Sequence, residues 1–203
     1  MNEIKTKEIE KILEENRGTI YSLNDFYHLG NKNTIKSIFY RLEKQNKIFR
    51  VMDGLYTKPH FSQLLQENIY PHVEEVADKI AEKFSWKTAP TEEAALNYTG
   101  LSTQVPGVLI YVSSGPYREY NYNGIKIIFK HAKSIELIFS EDVLLIIQAI
   151  KALGENRITK KDINKLAFFV KKIKLNLNEP HLNKLPYWIF NTINQIKEKI
   201  CEN

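Results

Sequence analysis

The chain has 203 residues, of which 43% are hydrophobic and 26% charged, a composition that excludes a wholly disordered protein and suits one or two globular domains. Its single cysteine, Cys201, excludes an internal disulfide framework and a cysteine-based zinc site. The mixed charges of the first residues, and the lack of an apolar run of about 20 residues, predict a cytoplasmic protein without a signal peptide or membrane span.

The net charge of +5 is unevenly distributed along the chain. Residues 1–58 hold 11 Lys/Arg and 8 Asp/Glu, residues 59–149 hold 7 and 11, and residues 150–203 hold 11 and 5. Two basic segments therefore flank an acidic one. A basic segment is compatible with nucleic acid as a partner, although a run of charge is more often the solvated face of a helix.

Three helices are predicted in the first 45 residues. An apolar stripe predicts the first helix, which ends at Arg17-Gly18 because glycine is favoured just past a helix C-terminus. Ser22 is expected to cap the second helix, and Asn33 or Thr34 the third. The stripe of the first helix consists of Ile4, Ile9, Ile12 and Leu13. The third helix has apolar residues at i, i+3, i+4 and i+7, the spacing of one buried face: Ile35, Ile38, Phe39 and Leu42.

A β-hairpin is predicted after these helices, since Asp53-Gly54 separates two β-prone runs. Three helices followed by a two-stranded hairpin is the order of a winged helix-turn-helix. In that fold the third helix enters the major groove of DNA, and the hairpin, or wing, lies along the backbone or minor groove. Residues 1–58 are therefore predicted to be a winged helix-turn-helix DNA-binding domain.

The side of the third helix opposite its apolar stripe is polar and basic. Asn33 and Ser37 suit base edges, whereas lysine and arginine suit phosphates. The alternative is a winged helix that binds protein and carries a merely solvated basic face. The candidate DNA-binding residues on the helix and wing are Lys32, Asn33, Lys36, Ser37, Tyr40, Arg41, Lys44, Arg50, Gly54, Tyr56 and Lys58.

Residues 59–203 are predicted to form a second domain, mixed α/β with a small antiparallel sheet and C-terminal helices, so that the whole chain is α+β. A linker or linking helix is expected between Pro59 and Pro71. The predicted elements are then a helix over 73–84, a helix over 91–98, a strand over 107–112, a hairpin over 117–129 around Asn123-Gly124, an apolar helix capped by Ser140 and stopped by Gly154, a basic helix over 159–174, and a terminal helix from Pro186.

The basic helix is a candidate second phosphate-contacting surface, for the same duplex or for RNA, and otherwise a solvated edge. Its lysines are Lys160, Lys161, Lys165, Lys171, Lys172 and Lys174. Tyr117, Tyr120 and Tyr122 with Arg118 fit either a single-strand site or sheet residues of high β-propensity, and the second interpretation is favoured.

No catalytic machinery is evident in the sequence. The five histidines lack metal-ligand spacing, and there is no phosphate-binding glycine loop and no nucleophile elbow. The sequence therefore predicts a protein that is not an enzyme and has no metal site and no cofactor.

Two segments follow the pattern of a known family. Residues 37–56 follow RL-x-K-x-G-x-I-x-R-x-x-x-G-x-Y, with Asn46 in place of the usual glycine, and residues 94–106 follow AL-x-x-x-GL-(S/T)-(T/S)-Q-x-P. The strand ending in Ser113-Ser114-Gly115, and Pro186-Tyr187-Trp188, also fit. By these segments the chain resembles the AbiEi-like antitoxins of bacterial type IV, or abortive-infection, toxin–antitoxin pairs.

The resemblance implies a transcriptional autorepressor that is also an antitoxin. Its first domain would bind double-stranded DNA at inverted repeats in its own promoter, for which a homodimer on DNA is suited. Its second domain would counteract a nucleotidyltransferase-like toxin, in type IV systems without a required stable complex. The alternatives are a winged-helix protein-interaction module, a general transcription regulator without antitoxin activity, and, for the second domain, an enzyme acting on nucleotides or on the toxin.

Overall fold

The computed structural model describes residues 2–133 and 136–202 and separates into two compact units, with the division between Ser85 and Trp86. The first unit extends beyond the predicted boundary at Lys58. The reason is a helix past that boundary, α3 (Val73–Lys83), which packs against the first strand of the unit. The ammonium of Lys79 on α3 forms a salt bridge of 2.8 Å with the carboxylate of Asp25.

The first unit begins as a winged helix, as predicted. Its elements in chain order are α1 (Asn2–Glu15), β1 (Ile20–Ser22), a 3-10 turn (Leu23–Phe26), α2 (Lys32–Lys44), β2 (Phe49–Met52) and β3 (Leu55–Thr57). The strands form an antiparallel sheet of order β1–β3–β2. The predicted second helix is only the short 3-10 turn, and β1 was not predicted.

The segment predicted as a linker is a second hairpin. β4 (His60–Ser62) pairs with β5 (Glu67–Ile69) in antiparallel register, and α3 follows it. Three-residue strands are too short to show the alternation of polar and apolar residues on which strand prediction depends. The predicted helix over 73–84 is confirmed as α3.

The core of the winged helix lies between α1, α2 and the sheet. Ile35, Ile38, Phe39 and Leu42 of α2 are all buried, which confirms the predicted face. A chain of aromatic contacts continues this core: Phe26 and Phe39 have ring centroids 5.1 Å apart, and Phe39 and Tyr56 5.0 Å. Ile4 is 70% exposed because at 100° per residue it faces away from Ile9, so the buried stripe of α1 begins at Ile9.

The ends of α2 are closed by two asparagines. Asn31, rather than Asn33 or Thr34, is the N-cap, because its side-chain oxygen accepts the backbone N–H of Thr34 at 2.9 Å. Such a cap contributes about 1 kcal/mol to helix stability. At the other end Asn46 has a φ of 54°, and the N–H of Lys47 donates to the carbonyl of Leu42 at 2.9 Å, which closes a Schellman motif. Asparagine tolerates this left-handed conformation, which explains why it can stand where the family pattern has glycine.

The second unit contains a mixed sheet covered by helices. Its elements are β6 (Thr88–Pro90), α4 (Glu92–Tyr98), β7 (Val108–Ser113), β8 (Arg118–Tyr122), β9 (Ile125–His131), α5 (Glu141–Leu153), α6 (Lys160–Lys172) and α7 (Tyr187–Cys201). The sheet order is β6–β7–β9–β8. The sheet is antiparallel between β6 and β7 and between β8 and β9, as predicted. The central pair differs, because β8 folds back on the outer edge of β9 and leaves β9 parallel to β7.

The central helix of the second unit is α5. Residues 143–150 are all buried, and α5 packs against α4, β6 and α7, while α6 packs against α7. The hydroxyl of Ser140 accepts the N–H of Val143 at 3.4 Å, and the helix ends before Gly154, as predicted. The basic helix is present as α6, and its N-cap is Thr159, whose hydroxyl accepts the N–H of Asp162.

Gly100 ends α4 in the left-handed region, with a φ of 72°. Its N–H donates to the carbonyl of Asn97 at 3.0 Å, and the N–H of Leu101 donates to the carbonyl of Leu96 at 2.8 Å. These are the two hydrogen bonds of a Schellman motif, in which an apolar residue after the glycine packs back on the helix. The Gly-Leu pair of residues 94–106 therefore has a structural role, the termination of α4.

Candidate nucleic-acid interface

The solvent-facing side of α2 carries the predicted DNA-binding residues of that helix. We refer to it as the α2 face. Asn33, Ser37 and Tyr40 lie on the side of α2 opposite its buried residues, as the helical spacing predicts. The α2 face consists of exposed residues: Lys32, Asn33, Lys36, Ser37, Tyr40, Arg41 and Lys44.

The cations of the α2 face are available to a ligand. Lys36, Arg41 and Lys44 form no salt bridge with any residue of the described ranges 2–133 and 136–202. The ammonium of Lys44 lies 5.6 Å from the centre of the Tyr40 ring, within the distance of a cation–π attraction. A row of unpaired cations beside small polar groups matches the division between phosphate contacts and base contacts at a DNA surface.

The wing is formed by β2, β3 and the turn at Asp53-Gly54, as predicted. Arg50 is exposed and pairs with the Asp53 carboxylate across the turn. The register between β2 and β3 shifts between Arg50 and Met52, which marks a bulge. Bulges increase the local twist of a hairpin, so this one contributes to the direction in which the wing projects.

A lysine that the sequence did not predict holds the turn of the wing. Lys83, on α3, donates from its ammonium to the backbone carbonyl of Asp53 at 2.9 Å. Burial lowers the pKa of Lys83, and the charge of Asp53 only partly offsets this. A side chain added at Gly54 would place its Cβ 2.9 Å from the same ammonium, in a backbone with a φ of 70°. The absence of a side chain at Gly54 therefore leaves room for the hydrogen bond between Lys83 of α3 and the turn of the wing.

Tyr56 is not a surface contact, contrary to prediction. It is 6% exposed and packs on Phe39 of α2, and burial raises the pKa of its phenol. The cause is the position of β3 in the middle of the sheet, between β1 and β2. Tyr56 thus joins α2 to the sheet, a positioning role rather than a DNA-contacting one.

Lys58 is only partly exposed, and its ammonium pairs with the carboxylate of Glu14 on α1. Hydrogen bonds from Lys58 and from Arg17 hold the pKa of Glu14 below its ordinary value. The predicted backbone contact by Lys58 would require this pair to open. Arg50 is also paired, with Asp53, but its side chain is the more exposed of the two, at 44% against 23% for Lys58.

The first unit as a whole has no excess of positive charge. Residues 1–85 hold 13 Lys/Arg and 13 Asp/Glu, so the +5 of the chain belongs to residues 86–203. The charges are segregated, however. α2 carries Lys32, Lys36, Arg41 and Lys44 against one acid, Glu43, whereas α3 carries four acids against two lysines. Attraction to DNA would therefore depend on one face rather than on the net charge of the unit.

The predicted second basic surface lies on and around α6. Lys160, Lys161, Lys171, Lys172 and Lys174 are exposed. Lys174 occupies the left-handed position just after α6, with a φ of 54°. Lys165 is different: its ammonium donates to the carbonyls of Gly100 and Leu101 at 3.2 and 3.3 Å. Lys165 therefore satisfies carbonyl groups at the end of α4 instead of standing free for a phosphate.

A comparison with protein-family models finds one match over residues 7–177, which spans most of both compact units. The matching model is described as "Family of unknown function (DUF6088)". The chain belongs to this family. No curated protein matches this DUF6088 chain. The match includes the α2 face, the wing and α6, and it ends before α7.

Two structural observations bear on other classes of function for this DUF6088 protein. Among the described residues, there is no group of three or more His, Cys, Asp or Glu side chains that could hold a metal ion. Within residues 2–133 and 136–202, none of the helices combines the length and the apolar character needed to cross a bilayer.

Proposed function

We propose that this DUF6088 protein is a DNA-binding transcriptional autorepressor and the antitoxin of a bacterial type IV toxin–antitoxin pair. The observation that carries the DNA-binding half is the α2 face, where unpaired cations flank small polar side chains on the exposed side of a winged-helix recognition helix. This is the surface that winged-helix proteins place in the major groove.

In this proposal each part of the first unit has a separate task. Asn33 and Ser37 read base edges, while Lys32, Lys36, Arg41 and Lys44 neutralise phosphates. Arg50 contacts the backbone from the wing, which Lys83 fastens to α3 through Asp53. Tyr56 and Phe39 hold α2 against the sheet, so that the helix and the wing keep a fixed spacing. Inverted repeats in the promoter would be matched by a homodimer on DNA.

The antitoxin half rests on the resemblance to AbiEi-like antitoxins, because the family description assigns no function. The two segments that carry the resemblance fold as the α2–wing junction and as the Schellman end of α4. The second unit would counteract a nucleotidyltransferase-like toxin in the cytoplasm without acting as an enzyme and without a cofactor. A stable complex with the toxin is not required by this proposal.

One observation favours a second candidate, a winged helix that binds protein. The tip of the β4–β5 hairpin exposes two leucines: Leu64 is 91% exposed and Leu65 59%. Exposed apolar side chains at a hairpin tip are suited to an apolar contact with another protein. The dependence of binding on salt separates the two candidates.

We expect the full-length protein to shift a DNA fragment from upstream of its own gene in preference to a scrambled fragment of equal length. If the five exposed cations on α2 and the wing each neutralise one phosphate, the affinity falls about 500-fold between 50 and 200 mM salt, since the logarithmic slope is about −0.9 per contact. Equal binding to both fragments at every salt concentration would contradict a repressor. Retention of a protein partner in place of DNA, unaffected by salt, would favour the interaction module.

The antitoxin half is tested by co-expression with a nucleotidyltransferase-like reading frame encoded next to this gene. Growth should be arrested by that reading frame alone and restored by the full-length chain. A variant carrying Lys36→Ala and Lys44→Ala should restore growth equally, because neutralisation is assigned to the second unit. Failure of the wild-type chain to restore growth would contradict the antitoxin proposal while leaving DNA binding intact.

A further inference from the structure

One face of α6 presents an exposed aromatic ring among lysines. Phe168 is 71% exposed, although it lies in the middle of a helix whose opposite side is buried. Residues one or two helical turns away from it surround it on the same face. We call this the Phe168 face, and its residues are Lys161, Asn164, Lys165, Phe168 and Lys172.

Phe168 stands between two open grooves. The first, of about 500 Å³, lies between the Phe168 face and the end of α4, where Tyr98 is also partly exposed. The hydrogen bonds from Lys165 to the carbonyls of Gly100 and Leu101 fix this wall of the groove. The second, of about 380 Å³, lies on the other side of Phe168, where Lys171 and Lys199 border it.

The charges of these grooves have one sign. Within the described part of the chain, every charged residue that lines either groove is a lysine. The complementary ligand is therefore an anion. The aromatic rings add a second requirement, because Phe168 offers a flat apolar surface with no hydrogen-bonding group of its own. A ligand that satisfies both features carries repeated negative charge and flat rings.

We propose that the second unit binds single-stranded nucleic acid, with a base stacked on Phe168 and the backbone phosphates on Lys161 and Lys172. Single strands combine unstacked bases with a phosphate at every nucleotide, and aromatic rings among cations are how proteins bind them without sequence preference. The two lysines are about 16 Å apart along the helix, so a strand must pass Phe168 to reach both. In a duplex the bases are stacked and paired, and the ring of Phe168 would remain uncovered.

This site goes beyond the proposed repressor function because it uses neither the α2 face nor the wing. The test is fluorescence anisotropy of the full-length protein at 50 mM salt with fluorescein-labelled 15-mers of uridine and of thymidine. We expect both to bind, and Phe168→Ala to weaken binding about tenfold or more through loss of base stacking. Phe168→Trp should retain wild-type affinity. Tyr187→Ala is the matched control, since Tyr187 is 79% exposed and lines neither groove.

The lysines are tested through salt dependence. Lys161→Ala and Lys172→Ala should each reduce the slope of log affinity against log salt by about 0.7, the value for single strands. The Lys36→Ala/Lys44→Ala variant should keep its affinity for the 15-mers while it loses affinity for duplex DNA, so that failure of this site and failure of the repressor proposal are distinguishable. Absence of binding to both 15-mers, an unchanged affinity of Phe168→Ala, or an equal loss for duplex DNA would overturn the proposal. Capture of an acidic peptide in place of the 15-mers would also overturn it.

Discussion

We expect the double variant Lys36→Glu/Lys44→Glu to bind duplex DNA about 100-fold more weakly than the wild-type protein at low salt. Opposite unit charges about 5 Å apart in water attract by about 0.8 kcal/mol, and reversal of one charge converts this attraction into an equal repulsion. Two reversals therefore change the binding free energy by about 3.3 kcal/mol before screening, which is a factor of about 250. Both side chains are exposed, and among residues 2–133 and 136–202 neither forms a salt bridge, so the fold should be retained.

The control is Lys7→Glu/Lys11→Glu, which changes the charge of the same unit by the same amount. Both lysines are exposed on α1, outside the α2 face and the wing. Because each double variant replaces two lysines with two glutamates, the two variants have the same net charge. Affinities measured by anisotropy should differ by more than tenfold between them. Equal losses would mean that net charge, not the α2 face, determines the attraction to DNA.

The features predicted from the sequence are those that neighbouring residues determine. The period of 3.6 in α2 assigns its buried and exposed sides together, which is why the placement of Asn33, Ser37 and Tyr40 is confirmed. The hairpin at Asn123-Gly124 is another case, since both residues have positive φ, as a two-residue hairpin turn of this type requires. The N-cap of α5 at Ser140 and its end at Gly154 are likewise determined by neighbouring residues.

The features that were missed depend on contacts between distant residues. The sequence places Tyr56 on the surface because it lies on a predicted two-stranded wing. A third strand, β1, which the sequence does not predict, makes β3 the central strand and buries Tyr56. Lys83 was assigned to another domain, although it bonds to the turn of the wing. The parallel pairing of β7 with β9 likewise follows from the path of β8, which sequence periodicity does not contain.

Charge alone also could not separate free lysines from engaged ones. Lys58 and Lys165 stand in basic segments beside lysines that are exposed. Lys58 is a predicted phosphate contact, and Lys165 belongs to the candidate second surface, whose alternative is a solvated edge. In the structure Lys58 pairs with Glu14 of α1, and Lys165 binds two carbonyl groups at the end of α4. Their partners are far away in the sequence. Phe168 is an apolar residue for which the sequence pattern was also insufficient. The mixed composition of α6 does not indicate that this ring is exposed to solvent.

We expect Gly115→Ala to destabilise the second unit by about 2–3 kcal/mol. A Cβ at this position would lie 2.2 Å from Cε2 of Trp86, whose ring packs edge-on against Phe129 at 5.4 Å between centroids. The backbone cannot easily move away, because the Gly115 N–H donates to Ser113 Oγ at 3.0 Å and its carbonyl oxygen lies 2.9 Å from Nδ1 of His131. The indole must therefore leave its site, and overpacking of this kind costs about 1–3 kcal/mol or more.

Urea unfolding followed by circular dichroism measures this effect, and Gly107→Ala is its matched control. Apart from Gly107 and its two chain neighbours, no atom of the residues that the structure describes lies within 4 Å of a Cβ at Gly107. That substitution should therefore leave the free energy of unfolding unchanged or raise it by up to about 1 kcal/mol. A Trp86→Ala background isolates the cause, because removal of the ring removes the collision. If Gly115→Ala lowers the free energy of unfolding as much in that background as in the wild-type protein, contact with Trp86 is not the reason for the glycine. A cost that disappears with the ring would show that the Ser113-Ser114-Gly115 segment ends in glycine to admit the indole.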